Sequence, residues 1–278
     1  MATYQLRALK FGEILDGAFA VYQSHFGVLV GVAAACTGVP TVMNVYMSMV
    51  GMESVHPVTL LLWVLLYGVG GLIAAGATIR VISKAYLGLD PELGESIRFA
   101  LGRMGRIFLS GLAKYLMIGL PWLGAAIVTG ILGAVVQDLV LVTLASAAVV
   151  VGAVIAMLLL VAGYSVVTQA VVLEDDTSAT ESLGRSWELT KGFRAKALFL
   201  GVVLWVLLSL PIIASSGLAF LSPGLEAPIA GFAGLLQLII YPVYACAFTL
   251  LYYDLRVRKE AFDIEYLGRQ LGIGTVAG

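Results

Sequence analysis

Leu139-Val140-Leu141-Val142-Thr143-Leu144-Ala145-Ser146-Ala147-Ala148-Val149-Val150-Val151-Gly152-Ala153-Val154-Ile155-Ala156-Met157-Leu158-Leu159-Leu160-Val161-Ala162-Gly163 contains no charged residue and no proline, and the apolar character continues to Leu173. As one helix the run from Leu139 to Leu173 would be roughly 50 Å long, against a hydrocarbon core of about 30 Å. Such a stretch reads as a membrane span. Its length predicts that it tilts, or projects beyond the membrane carrying Tyr164, Ser165, Thr168 and Gln169.

Outward from that run, five further segments reach the roughly 20 apolar residues a span needs. They are residues 26–50, 57–79, 108–134, 198–222 and 228–253, with the first at 139–170. Helices are expected throughout, because in lipid each helix satisfies its own backbone hydrogen bonds. The whole chain agrees: 60% of its 278 residues are hydrophobic and 12% charged, with mean hydropathy +1.00. A soluble domain carries about 25% charged residues. The first span shows no convincing cleavage site, so it is read as a span and not a removable signal.

Charge placement orients the bundle. The three short turns around Glu53, Asp138 and Glu226 contain no Lys or Arg. All sixteen basic residues lie on the other side, from Arg7 and Lys10 through Arg80, Lys84, Arg98, Arg103, Arg106 and Lys114 to Arg258, Lys259 and Arg269. The positive-inside rule then predicts that both termini are cytoplasmic.

The chain also repeats itself. Phe11-Gly12-Glu13-Ile14, Leu93-Gly94-Glu95-Ser96-Ile97 and Thr180-Glu181-Ser182-Leu183 each open an amphipathic stretch leading to a span that holds a proline: Pro40, Pro121 and Pro211. The glutamates are 82 and 86 residues apart. The expectation is a single membrane domain, an all-α bundle of six spans with three amphipathic cytoplasmic surface helices, in units of about 10–87, 90–173 and 176–267. Apolar faces spaced at 3.6 residues, such as Phe11, Ile14, Leu15, Ala18 and Tyr22, support surface helices. Asp90-Pro91 and Ser178 with Glu181 read as helix starts. If Glu13, Glu95 and Glu181 meet arginines of neighbouring units, they and Arg185 would be clamps fixing those helices.

Few groups carry chemistry. His25 and His56 fall on opposite membrane faces, and Cys36 and Cys246 lie in apolar runs without metal-site neighbours. No phosphate loop, zinc helix or nucleophile elbow occurs, so no catalytic residue, metal or cofactor is expected. Gly68, Gly70, Gly71 and Gly76 read as a helix-packing pattern. Lys114 is the deepest ionisable residue and is expected to snorkel to the inner surface. Asn44, Gln237 and Tyr241, with Tyr244, are candidates for lining a cavity; interhelical hydrogen bonds among them are the plainer expectation. In the C-terminal run Tyr253, Asp254, Arg256, Arg258 and Glu260 form a candidate cytoplasmic motif, with Asp254–Arg258 and Arg256–Glu260 at pairing distance along one helix.

Phe11-Gly12-Glu13-Ile14-Leu15-Asp16-Gly17, Leu183-Gly184-Arg185-Ser186-Trp187 and Leu251-Tyr252-Tyr253-Asp254-Leu255-Arg256-Val257-Arg258-Lys259-Glu260 together resemble the glycerophosphoryl diester phosphodiesterase membrane-domain family. The resemblance covers nearly the whole chain and implies a polytopic protein of a prokaryotic plasma (inner) membrane. It does not imply hydrolysis. The catalytic barrel of fused relatives takes about 250 residues, and its histidines and metal-binding carboxylates have no counterpart here.

The leading expectation is a non-catalytic scaffold or a regulatory, lipid-interacting module, with membrane lipids and another membrane or cytoplasmic protein as partners and no nucleic acid. The alternative is a transporter or export component for a small apolar or lipid-like substrate. A transporter would gather its polar residues on one intramembrane cavity. A scaffold would present a polar groove near Asp254, Arg256 and Arg258.

Overall fold

A computed structural model describes residues 7–262 and Ile264, apart from Asp176 and Pro223. Arg269 and the end of the third sequence unit lie outside the described residues. The described chain is helical throughout, with short turns. Helix α1 (Phe11–Ser24) leads into α2 (Phe26–Val50), and a short 3-10 turn connects to α3 (Pro57–Tyr86). Then follow α4 (Leu93–Val135), α5 (Leu139–Gly163), α6 (Val167–Leu173), α7 (Glu181–Thr190), α8 (Arg194–Leu221) and α9 (Glu226–Glu260). Six of these segments are long and apolar enough to cross a membrane: α2, α3, α4, α5 with α6, α8 and α9. The chain is an integral membrane protein built as an all-α bundle.

The spans form a ring in chain order, α2–α3–α4–α5–α8–α9, and α9 closes it against α2. Packing within the ring is polarised. On the basic face the core is dense: Ile14, Ala18 and Val21 of α1, Ala77, Ile79, Val81 and Ile82 of α3 and Cys246–Leu255 of α9 are buried. Toward the acidic turns, Leu116, Leu123 and Ile131 of α4 and Leu139 to Leu144 of α5 are exposed. An apolar belt of that size faces hydrocarbon, not water.

Local sequence explains where helices break. The α7–α8 turn uses Gly192 at φ +88°, a left-handed backbone that glycine adopts at no steric cost. The apolar run 139–173 breaks at Tyr164–Val166, and α6 projects past the break as a buried helix against α3, α4 and α7. The C-terminal end of α5 is buried and closed by α7: the hydroxyls of Ser186 and Thr190 donate to the Gly163 carbonyl at 2.8 and 3.1 Å. Those bonds satisfy an acceptor that a helix terminus leaves open.

Two expectations change. The second amphipathic stretch is no separate surface helix. It continues into its span as the 43-residue α4, roughly 65 Å long, because nothing between Leu93 and Phe108 leaves the helical path. Nor does Asp90-Pro91 start that helix; the N-cap is Glu92, without a side-chain bond. The Ser178–Glu181 box does form, with Ser178 N–H donating to the Glu181 carboxylate at 2.8 Å and Glu181 N–H to Ser178 Oγ at 3.3 Å.

Candidate functional site

The C-terminal motif folds into a closed ionic lock on the basic face. Asp254 has no exposed side-chain surface. It accepts from Leu9 N–H at 2.6 Å, Lys196 Nζ at 2.6 Å and Arg258 Nε at 2.9 Å. Both cations also donate to the Leu9 carbonyl, each at 2.8 Å. The backbone of the segment before α1 is thereby fixed to α8 and α9. The preceding residue, Tyr253, bonds Ser83 at 2.7 Å and stacks on Tyr86. Glu260 receives Arg256 at 2.9 Å and Arg185, while Arg185 and the Tyr252 hydroxyl share Glu174. Burial alone would lower the Arg185 pKa, yet the carboxylates of Glu260 and Glu174 raise it above its ordinary value.

Within this lock donors and acceptors are matched. Tyr253, Asp254, Arg256, Arg258 and Glu260 use their charges and hydroxyls on partners within the protein. The proposed glutamate clamps divide. Glu95 does reach the preceding unit, pairing with Lys84 and lying 3.8 Å from Arg80. Glu13 and Glu181 instead serve the starts of their own helices. Glu13 takes the Lys10 N–H at 2.6 Å and pairs with Arg7 at 2.8 Å, because a carboxylate three residues into a helix is already at its free N–H groups.

Farther into the bundle lies a cavity of about 490 Å³ between α2, α3 and α9. Asn44, Gln237 and Tyr241 all line it, together with Trp63, Tyr67 and Gly71. The expected interhelical hydrogen bonds among these polar groups do not form. Among the described residues the side chains of Asn44, Tyr67, Gln237 and Tyr241 have no hydrogen-bond partner, and Gln237 Oε1 is fully buried. Trp63 is the exception, donating to the Pro40 carbonyl at 3.1 Å. Two apolar grooves adjoin. One, of about 380 Å³, shares Thr41 with the cavity and runs between α2 and α9. The next, of about 390 Å³ between α8 and α9, shares Pro228 and Phe232 with the first.

Glycine sets the shape of the cavity wall. Pro40 lacks an N–H, so the Cys36 carbonyl has no helical donor. Gly70 packs directly onto that oxygen, where any Cβ would collide. Gly71 faces open space and lines the cavity. The four glycines of the packing pattern therefore differ: Gly70 and Gly76 make close contacts, while Gly68 and Gly71 make none. Tyr67 and Trp63 escaped the sequence reading, since alone each is an ordinary residue of a span and only their i,i+4 spacing hints at a shared face, while Gly71 was read there as helix packing.

The arrangement offers hydroxyl and amide donors, one orphaned carbonyl oxygen and aromatic walls, opening onto apolar grooves. No group of three or more His, Cys, Asp or Glu able to hold a metal occurs among the described residues. No protein-family model, curated protein or solved structure matches the chain.

Proposed function

We propose that this protein is a non-catalytic, lipid-interacting membrane module that holds an amphipathic molecule in the cavity between α2, α3 and α9. The observation that carries the reading is the convergence of four unpartnered polar side chains on one cavity. A buried polar group without a partner costs about 1–3 kcal/mol. Gln237 Oε1 is such a group, and the unpartnered Asn44, Tyr67 and Tyr241 around the same cavity point with it to a partner supplied from outside the chain. The adjoining grooves suit an apolar tail, and the polar residues suit a head with hydroxyl or ester oxygens.

A second reading, transport or export of such a molecule, is favoured by Pro40 and Pro242 in the two helices that wall the cavity, since proline leaves carbonyls free and lets helices bend. The sixteen-to-zero division of basic residues supports a basic face in the cytoplasm, in keeping with a prokaryotic plasma membrane. The three quoted sequence stretches remain the support for membership of the glycerophosphoryl diester phosphodiesterase membrane-domain family, and the helix order supports three repeated units.

The test is extraction with surrounding lipid in polymer-bounded particles, followed by native mass spectrometry. Wild type is expected to retain one amphiphile at fixed stoichiometry. Gly71→Leu, whose Cβ starts in open space and whose side chain enters the cavity, is expected to lose it, and Gln237→Leu to weaken it. Identical lipid composition in all three proteins would overturn the reading. A stoichiometric protein partner with no retained amphiphile would favour a scaffold. Flux of the retained molecule across proteoliposomes would separate transport from holding.

A further inference from the structure

Lys114 stands out because none of the described residues neutralises it. It lies in α4 on the stripe of Ala100, Ile107 and Ala125, the residues by which α4 faces the bundle, and it is half-buried. Among the described residues it makes no hydrogen bond and no ion pair. The expected escape, snorkelling to the basic face, is a long reach. Arg103 and Arg106 mark that face by binding Asp175 and the backbone beside it. Lys114 is eight residues beyond Arg106, about 12 Å along the helix. No carboxylate is available either: between the basic face and the acidic turns the six spans contain no Asp or Glu.

Helix register brings Lys114 to the depth of the cavity. Gly76 of α3 packs against Ala100 and Ile107 of α4. About three turns further along this antiparallel pair, Lys114 comes level with Tyr67. Across the next seams, Trp63 reaches Pro40, and Thr41 of α2 meets Gly234 of α9. That places Tyr67 level with the Gln237 turn. Lys114 does not line the cavity, whose walls are α2, α3 and α9; it stands at the cavity's depth on α4, the neighbour of α3.

We infer that the cavity takes an anionic amphiphile, whose acidic head, phosphate or carboxylate, is neutralised by Lys114 while Tyr67, Tyr241 and Gln237 bind its neutral oxygens. The inference rests on the cavity being a lipid-binding site and adds the charge of its ligand. An intramembrane cation without a protein counter-ion is stabilised by an anion entering from the lipid, and a charge-assisted bond is about twice as strong as a neutral one. The apolar grooves that begin at Thr41 take the tail.

The experiment uses the full chain in phosphatidylcholine nanodiscs, offered palmitoyl lysophosphatidic acid, palmitate or lysophosphatidylcholine and analysed by native mass spectrometry. Wild type and Lys114→Arg are expected to retain the phosphate or carboxylate probe over the zwitterionic one. Lys114→Gln is expected to lose that preference by about tenfold or more. Which acidic probe wins assigns the head group. Equal retention of all three probes by wild type overturns the inference whether or not Lys114→Gln folds. If the zwitterionic probe is retained as well as the acidic ones and Gly71→Leu still abolishes binding, the inference fails and the lipid-binding reading stands. If wild type retains no probe, both fail.

Discussion

Replacing Asp254 by Asn should unlock the basic face. The substitution conserves shape but removes the charge that Lys196 and Arg258 share, and it sets an amide N–H₂ among three donors. Breaking one partner out of a buried ion pair costs about 3–5 kcal/mol. Here the two cations retain 16% and 30% side-chain exposure and keep their bonds to the Leu9 carbonyl, so water and backbone offset part of the loss. The expected destabilisation is therefore at the low end, about 3 kcal/mol, roughly a hundredfold in the folded-to-unfolded ratio. Reversible unfolding in mixed detergent and dodecyl sulfate micelles, followed by tryptophan fluorescence, measures it. Combining Asp254→Leu with Lys196→Met should cost less than the sum of the single changes, with a coupling of about 1 kcal/mol or more. An Asp254→Asn protein within about 0.5 kcal/mol of wild type would refute the view that the motif is a structural lock.

Two further outcomes follow from local geometry. Gly70→Ala should destabilise the α2–α3 pair by about 1–3 kcal/mol, since the methyl group meets a backbone oxygen that cannot turn aside; Gly68→Ala, facing open space, should be neutral within about 0.5 kcal/mol in the same unfolding assay. Hydrogen bonds from Arg7 and then from the Lys10 N–H hold the Glu13 carboxyl down at about 2, below its ordinary 4.5. A lowered folded pKa means that its contribution to anchoring α1 is complete above 4.5 and fades as pH falls through about 2. Carboxyl carbon NMR should show that low midpoint in wild type and an upward shift in Arg7→Ala; an unchanged midpoint would remove Arg7 from the account.

The spans were legible in the sequence for a simple reason. A helix in lipid satisfies its own backbone and needs only length and apolarity, both local properties. The pairs Asp254–Arg258 and Arg256–Glu260 were readable as well, because i,i+4 neighbours on one helix meet wherever that helix goes. What the sequence did not reveal depends on how helices sit against one another. Nothing local distinguishes Gly70 from Gly71, yet one abuts the Cys36 carbonyl and the other borders a cavity. Asn44, Gln237 and Tyr241 were suspected as lining a cavity, and they border one between α2, α3 and α9. Whether they would bond to each other or leave their groups open was decided by the register of α2 against α9. Likewise, the bond from the Arg103 guanidinium to the Val172 carbonyl, which ties α4 to α6, joins residues 69 positions apart and leaves no local trace.

The Leu9–Asp254 bond joins residues 245 positions apart, and this has a consequence for biosynthesis. A ribosome adding about 5–20 residues per second needs roughly 12–50 s to travel that distance. Throughout that interval Ile14, Ala18 and Val21 of α1 lack the α9 surface against which α1 mainly packs. The N-terminal helix is made first and docks last. A chain cut short before Asp254 would present that undocked apolar face to the cell's proteases, so the lock doubles as a proof that translation reached the last helix.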